Sequence, residues 1–240
     1  MANIVYVLTS NNRGISLGIV KKLLARPATT VFVSVRNEAA AATLTTNTAS
    51  IDNGDAIRQA FAVATAGTID RVDVLVDNAA MVSPLTPSIT TTAEDLCTSF
   101  EVNTISPLLT FQGLWPLMDK PRSAGECPPK FIAITSCVDS IECLEPVPAD
   151  SYGPSKSALN WITNWLHLQH NDSGLVSVAI RPGWVQTDAG RFSAKSWGYK
   201  PGLPDTIEDS ADEILKVTDK ATRETASGKF VSQTGKAFPW

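Results

Sequence analysis

The alternation of two sequence patterns is the feature that most constrains the fold of this chain. Short apolar runs rich in β-branched residues, at 4–8, 30–35 and 72–76, alternate with longer segments of helical periodicity. Nearly uninterrupted apolar runs are typical of strands whose two faces are both covered in a parallel sheet. The βαβα order predicts one α/β domain over residues 1–240: a Rossmann-type doubly wound parallel sheet of about seven strands with helices on both faces.

The other predicted elements continue the same alternation. Further strands are predicted at 49–51, 131–135, 175–180 and 229–232, and helices at 14–26, 38–44, 55–66, 92–118, 152–170 and 206–218. Two segments break the pattern, 142–150 and 188–204. The second contains Phe192, Trp197 and Tyr199, and it is predicted to be a substrate loop that closes as an apolar lid. A packed surface loop is the alternative.

Composition excludes several classes of function. The net charge is −4 and no basic block is present, so nucleic acid is not an expected partner. No apolar run approaches the roughly 18 residues that a membrane span requires. The four cysteines form no CxxC pair, which favours reduced thiols and a cytoplasmic location. No metal site is predicted.

Tyr152 and Lys156 carry the first chemical signal. Residues four apart lie on one face of a helix, so the phenol and the ammonium are expected to be neighbours. A phenol has a pKa of about 10, and a nearby ammonium lowers it, which yields a proton donor usable near neutral pH. Ser136 lies sixteen residues before Tyr152 and offers a hydroxyl to hold a carbonyl oxygen. This set predicts the acid half of a carbonyl reduction.

A phosphate-binding turn is predicted at residues 9–18. There the first strand runs into the first helix, so backbone N–H groups and the helix dipole would favour an anion. Arg36 directly follows the second strand, where the adenosine ribose of a dinucleotide is expected, and Arg13 lies in the turn. Two basic residues and no acid at this position favour the 2′-phosphate of NADP(H) over NAD(H). Solvated surface arginines are the alternative.

Six motifs in order resemble those of the short-chain dehydrogenase/reductase family over essentially the whole chain. The turn at 9–18 resembles the TGxxxGxG motif, residues 77–80 resemble NNAG, and Asn103 matches a helix asparagine of the family. Ser136 matches the second serine of ISSxxGS, and Tyr152 with Lys156 matches YxxxK. Residues 182–188 match the segment that closes over the nicotinamide. This segment and the C-terminal residues are most similar to fungal ketoreductases resembling norsolorinic acid reductase, which act on aromatic polyketides.

The resemblance implies a role for each matched residue. Tyr152 is the general acid, Lys156 lowers its pKa and holds the nicotinamide ribose, and Ser136 orients the carbonyl. Asn103 anchors a water that relays protons to Lys156. The implied cofactor site comprises Thr9, Ser10, Asn12, Arg13, Gly14, Ile15, Arg36, Asp52, Asn78, Ala79, Tyr152, Lys156, Pro182, Gly183, Val185 and Thr187.

Four residues depart from the family motifs. Ser10 and Ser16 replace glycines of the cofactor turn, Ala80 replaces the glycine of NNAG, and Asp139 replaces the glycine after the serine. Glycine permits positive φ and close approach of a ligand, so Ser16 in particular could weaken the dinucleotide site. Asp139 is expected near the mouth of the site, either as a turn residue or as a contact for a polar or cationic substrate.

These observations together predict an NADPH-dependent reductase of a ketone, an aldehyde or an imine. The substrate is expected to be a bulky, largely apolar natural product that contacts Cys137, Trp184, Phe192 and Trp197. A non-redox catalyst such as a cyclase, dehydratase or isomerase is one alternative, and a dinucleotide sensor without turnover is another. The apolar residues of the helix at 152–170, with the family resemblance, predict a homodimer or homotetramer.

Overall fold

The computed structural model of the protein describes residues 3–9, 13–34, 70–82, 84–123 and 125–240. Ser10, Asn12, Arg36 and Asp52 lie outside these residues, as do the predicted elements at 38–44, 49–51 and 55–66. The predictions made for them therefore stay predictions.

One sheet forms the centre of the described part of the chain. Its seven strands are arranged in the order β2-β1-β3-β4-β5-β6-β7, and all neighbours are parallel except β6 and β7. This arrangement confirms the predicted doubly wound sheet, although the seventh described strand is a short antiparallel edge that the sequence analysis missed. The bounds are β1 Ile4–Leu8, β2 Thr29–Val33, β3 Val74–Asp77, β4 Lys130–Ile134, β5 Val176–Arg181, β6 Lys229–Ser232 and β7 Ala237–Phe238.

Helices connect and cover these strands. The described helices are α1 Gly14–Leu24, α2 Ala93–Phe100, α3 Ser106–Met118, α4 Tyr152–Gln169, α5 Asp188–Ser196 and α6 Ile207–Lys220. The predicted helix at 92–118 is interrupted by one π-helical segment, Glu101–Ile105, between α2 and α3. No described helix has the length and apolar character needed to cross a bilayer.

The predicted loop at 188–204 requires a correction, because its first half is the helix α5. Thr187 caps this helix, since its side-chain oxygen accepts a hydrogen bond from the Gly190 N–H at 3.0 Å. Asp188 places a negative charge in the first turn, where the helix dipole favours it. Only the residues after Ser196 remain irregular.

The two faces of the sheet carry separate apolar cores. In β1, Tyr6 and Leu8 point to one core and Val5 and Val7 to the other, as the two-residue period of a strand requires. The first core is completed by α1 and α6, and the second by α3 and α4. Both faces are therefore covered, which explains why the strands are almost wholly apolar.

Parallel strands bring their carboxyl ends to one edge of the sheet. Thr9 follows β1, Asp77 ends β3, Ser136 lies shortly after β4 and Pro182 follows β5. In open α/β sheets ligands bind at this edge. The fold thus gathers residues that are up to 173 positions apart in sequence (from Thr9 to Pro182) at one place.

Candidate active site

Thr9 links the ends of two strands at the candidate cofactor site. Its hydroxyl donates to Asp77 Oδ1 at 2.9 Å and accepts from the backbone N–H groups of Asn78 and Ala79, each at 3.0 Å. Its own N–H donates to the Val76 carbonyl oxygen at 3.2 Å. One side chain therefore fixes the end of β1 against the segment after β3, which forms one side of the site.

Ser16 fits the cofactor turn in spite of its departure from glycine. The residue is buried in the first turn of α1 and does not have a positive φ. Its hydroxyl donates to the Thr9 carbonyl oxygen at 3.3 Å, so it joins α1 to the end of β1. Gly14 does need its glycine, because its φ is +60° and a Cβ would lie 3.3 Å from Thr187 Cγ2.

Arg13 joins the cofactor turn to the segment after β5. The residue precedes α1, whose first turn has no side-chain cap. The guanidinium lies 3.5 Å from Asp188 Oδ2, and Arg191 pairs with the other carboxylate oxygen of Asp188 at 2.8 Å. A helix N-terminus without a side-chain cap, beside two guanidiniums, favours an anion such as a pyrophosphate, although both guanidiniums are paired with the Asp188 carboxylate.

The segment at 182–187 forms the opposite side of the site. Gly183 has a φ of +86°, and a Cβ there would lie 2.4 Å from Asp205 Oδ2. The Asp205 carboxylate accepts the Trp184 N–H at 2.7 Å, and Asp205 pairs with Val185 through a β-bridge. Asp205 therefore fixes the backbone of this segment, a role that the sequence analysis did not predict.

Tyr152 and Ser136 lie together at the base of the site. Burial raises the pKa of Tyr152 above its ordinary value, hydrogen bonding to Ser136 lowers it, and the charge of Asp139 raises it. The expected lowering by Lys156 is not found, because desolvation dominates and Ser136 provides the favourable contact. A phenol with a raised pKa stays protonated near neutral pH, which is the form that a general acid needs.

Lys156 is fully buried beneath the same cavity. Its Nζ donates to the Ile134 carbonyl oxygen at 2.9 Å, at the end of β4. Burial lowers the pKa of this ammonium, whereas the carboxylates of Asp77 and Asp139 raise it. Asp77 is itself buried, and burial raises its pKa to about 6 although Lys156 and Thr9 act against this shift.

Asp139 does not lie at the mouth of the site, so that expectation is wrong. The side chain is buried behind Ser136, and its Oδ2 accepts the Ser136 N–H at 2.8 Å. The carboxylate can therefore act on the catalytic groups but is not available to a substrate.

Asn103 lies in the π-helical segment. Segments of this kind often occur at functional sites. Its amide nitrogen donates to the Met81 carbonyl oxygen and to the Ser155 hydroxyl, each at 2.9 Å, and its amide oxygen accepts the Met81 N–H at 2.8 Å. The side chain thus holds three elements together around Tyr152 and Lys156. The proton relay remains a prediction.

A cavity of about 250 Å³ unites these groups. Ser136, Tyr152 and Lys156 line it, together with Arg13, Gly14, Ile15 and Asn78 on one side and Pro182, Gly183, Val185 and Thr187 on the other. Of the predicted substrate residues, Cys137, Trp184 and Trp197 line the cavity. Phe192 does not line it, because it lies on α5 with 39% of its surface exposed, so its predicted contact is not supported.

The walls of the cavity are aromatic on the substrate side. The Trp184 ring lies 4.2 Å from that of Tyr199 and 6.0 Å from that of Trp197, measured between centroids. The Trp197 Nε1–H donates to the Pro148 carbonyl oxygen at 2.9 Å. The segment after α5 is therefore held against the segment at 142–150, the two regions that interrupt the βαβα pattern.

The site combines a glycine-containing turn at a helix N-terminus with a Ser, a Tyr and a Lys at the carboxyl edge of a parallel sheet. This combination is typical of a dinucleotide-dependent oxidoreductase. A sequence profile of the short chain dehydrogenase family matches residues 4–196. The chain belongs to this family, and its cofactor is a nicotinamide dinucleotide.

Relatives and solved structures agree with this assignment. The chain is 33% identical to the short-chain dehydrogenase RED3 of Pyricularia oryzae, over 98% of this chain and 97% of that protein. It is 32% identical to the norsolorinic acid ketoreductase of Dothistroma septosporum, over 98% and 92% of the two chains. Its structure is similar to that of an NADPH-bound carbonyl reductase from chicken fatty liver, with a TM-score of 0.85 and 27% identity. The match covers 100% of this chain and 96% of the chicken chain.

Proposed function

We propose that the protein is an NADPH-dependent reductase that acts on a ketone, aldehyde or imine of a bulky, largely apolar natural product. The observation that carries the proposal is that Ser136, Tyr152 and Lys156 line one cavity with the phosphate-binding turn and two tryptophans. The chicken relative is a carbonyl reductase with NADPH bound, and the Dothistroma relative is a ketoreductase. Both support the same reaction for this chain.

The residues of the cavity fit a dinucleotide. The uncapped N-terminus of α1, with Gly14 in a left-handed conformation, leaves room and N–H donors for the pyrophosphate. Val185 and Thr187 would hold the nicotinamide, and Lys156 and Tyr152 its ribose. The cofactor, when bound, supplies the hydride.

The protein's own groups supply the proton and hold the substrate oxygen. Tyr152 is protonated near neutral pH because burial raises its pKa, so it can donate to the oxygen that gains charge in the reaction. Ser136 lies beside the Tyr152 hydroxyl and would hydrogen-bond to the same oxygen. Lys156 lies buried beneath the pair, where burial lowers its pKa and the carboxylates of Asp77 and Asp139 raise it.

The substrate side favours a flat, apolar molecule. Trp184 and Trp197 offer aromatic faces, and Cys137 adds an apolar contact at the base of the cavity. We expect bulky aromatic ketones to be reduced with a higher kcat/KM than short aliphatic ketones when NADPH is supplied. Equal or inverse preference in a substrate panel would contradict the proposed substrate class.

Arg36 is proposed to select NADPH through its 2′-phosphate. Charge-assisted hydrogen bonds to a phosphate contribute about 1.5–3 kcal/mol, so Arg36→Ala is expected to weaken NADPH binding by about 10–100-fold. NADH lacks the 2′-phosphate, and its affinity should hardly change. Calorimetric titration of both cofactors measures the two affinities, with Lys21→Ala, an exposed residue of α1, as a charge control. Equal losses for both cofactors would contradict the assignment.

A homo-oligomer is proposed through α4. Trp161 and Trp165 stack with ring centroids 5.4 Å apart and are 63% and 44% exposed, and Leu168 continues the same face. Helical spacing of three and four residues makes these side chains one continuous apolar surface, which a second copy of the chain would cover. The double variant Trp161→Glu/Trp165→Glu is expected to sediment as a monomer, whereas the wild type sediments as a dimer or tetramer. A monomeric wild type would refute the proposal.

A further inference from the structure

Asp139 is a buried carboxylate directly behind the proposed catalytic serine. Only 1% of the residue is exposed. Its Oδ2 accepts the Ser136 N–H at 2.8 Å, and its carbonyl oxygen accepts the Ser157 hydroxyl at 2.7 Å. Because Ser157 follows Lys156 on α4, Asp139 connects the serine turn to the helix that carries the tyrosine and the lysine.

The carboxylate lies in surroundings that make its charge unfavourable. Burial raises the pKa of Asp139 to about 6, against opposing effects of the Ser136 N–H, Lys156, Asn160 and Thr135. Asn160 and Thr135 face the carboxylate. Among the residues described, however, the side-chain N and O atoms of these two residues form no hydrogen bond of normal geometry. The same is true of Asp139 Oδ1. A neutral residue would be less costly at this position, so the carboxylate is not explained by its contribution to stability.

Lys156 is the group on which this charge acts. The ammonium is fully buried, and its one hydrogen bond in the described structure goes to the Ile134 carbonyl oxygen. Burial lowers the pKa of Lys156, and two carboxylates raise it, Asp77 from β3 and Asp139 from the turn after β4. The protonated state of Lys156 therefore depends on negative charge supplied from two different strands.

We propose that Asp139 is a positioning residue: its carboxylate holds the Ser136 backbone, and its buried negative charge behind the serine turn, together with that of Asp77, keeps Lys156 protonated during proton transfer from Tyr152. This inference rests on the proposed reductase function. It concerns a residue that departs from the motif of the family, in which a glycine stands at this position.

Within the described residues, few other titratable groups lie near Asp139. Tyr152 and Lys156 face it from α4, and Cys137 lies in the same turn. Arg181 on β5 and Glu145 in the segment at 142–150 act on Cys137, and Asp77 reaches the cluster through Lys156. The charge of Asp139 raises the pKa of both Tyr152 and Lys156, so removal of the charge shifts both in one direction.

Asp139→Asn tests the charge with little change in shape. Its amide oxygen can still accept the Ser136 N–H, but the negative charge is lost. Reduction requires both Tyr152 and Lys156 in their protonated forms, and both then lose their protons at lower pH. The basic limb of the pH profile of kcat/KM for NADPH-dependent ketone reduction is therefore expected to move to lower pH by about one unit.

The control is Glu142→Gln, which removes the same charge from an exposed side chain three residues further on and should leave the profile in place.

Asp139→Gly provides a second variant in case the asparagine variant does not fold. It should show the same shift of the basic limb together with a lower kcat, because the Ser136 N–H loses its acceptor.

The outcomes separate the two proposals. A wild type that does not oxidise NADPH with any carbonyl substrate refutes the reductase function, and the inference with it. A wild type that does, with a basic limb that stays in place when Asp139 is replaced, refutes the inference alone. A lower kcat with an unchanged limb would mean that Asp139 is only structural, and this also overturns the inference.

Discussion

Replacing Tyr152 with phenylalanine is expected to lower kcat for carbonyl reduction by about 10²–10⁴. The change removes the hydroxyl that lies beside Ser136 at the base of the cavity, while the ring that fills the space remains. Because Lys156 would still hold the nicotinamide ribose, NADPH affinity should fall far less than kcat. Steady-state kinetics combined with calorimetric NADPH titration measures the two effects separately.

The matched control is Tyr6→Phe. Tyr6 is also buried, but its hydroxyl interacts with Arg26 after α1, away from the carboxyl edge of the sheet. This variant should keep its turnover. If Tyr152→Phe also keeps its turnover, Tyr152 is not the proton donor and the proposed mechanism is wrong.

Replacing Thr9 with valine is expected to destabilise the protein by about 3 kcal/mol, since one hydroxyl serves three partners. The change leaves Asp77 Oδ1 and the N–H groups of Asn78 and Ala79 without this partner, although the volume of the side chain is conserved. A loss of this size corresponds to a decrease in Tm of about 6–12 °C for a chain of this length. NADPH affinity should fall as well, because the end of β1 is no longer fixed to the segment after β3, which lines the cavity.

Thr9→Ser distinguishes the hydroxyl from the methyl group. Serine keeps the donor and the acceptor, so its Tm is expected to lie much closer to that of the wild type. Thermal unfolding of the two variants side by side gives the comparison. Equal losses in both would show that packing of the methyl group, rather than the hydrogen bonds, holds Thr9 in place.

The fold was predictable because the strands are buried on both faces. The runs around Tyr6, Leu75, Phe131 and Val178 are apolar at nearly every position, and their alternation with helical patterns leaves little choice of architecture. The antiparallel strand β7 was missed because two residues, Ala237–Phe238, are too few for a periodic signal. The helix α5 was not predicted because the Pro182–Asp188 motif accounts for its cap, Thr187, as a nicotinamide contact.

The site was predictable in its residues but not in its electrostatics. The motif spacing identified Ser136, Tyr152 and Lys156, and the structure brings them to one cavity. The spacing also suggested that Lys156 lowers the pKa of Tyr152, whereas in the folded chain burial raises this pKa and the hydrogen bond with Ser136 is what opposes the rise. Burial depends on packing between distant segments, which sequence periodicity does not describe.

Ser16 and Asp139 also show that the sequence alone does not determine which partner a buried side chain contacts. As a departure from glycine, Ser16 suggested a weakened site, and Asp139 suggested a turn residue or a substrate contact at the mouth. Ser16 instead donates to the Thr9 carbonyl oxygen, and Asp139 turns inward to the Ser136 N–H. The partner in each case is a backbone atom, whose position only the folded chain determines.

The most direct measurement of the central claim follows the hydride itself. The wild-type protein is incubated with a bulky aromatic ketone and NADPH that carries deuterium at its transferable position. The proposed function predicts an alcohol with one deuterium on the carbinol carbon and an equal amount of NADP⁺. An altered product without deuterium, with NADPH left unconsumed, would contradict a reductase and indicate a non-redox catalyst on the same fold.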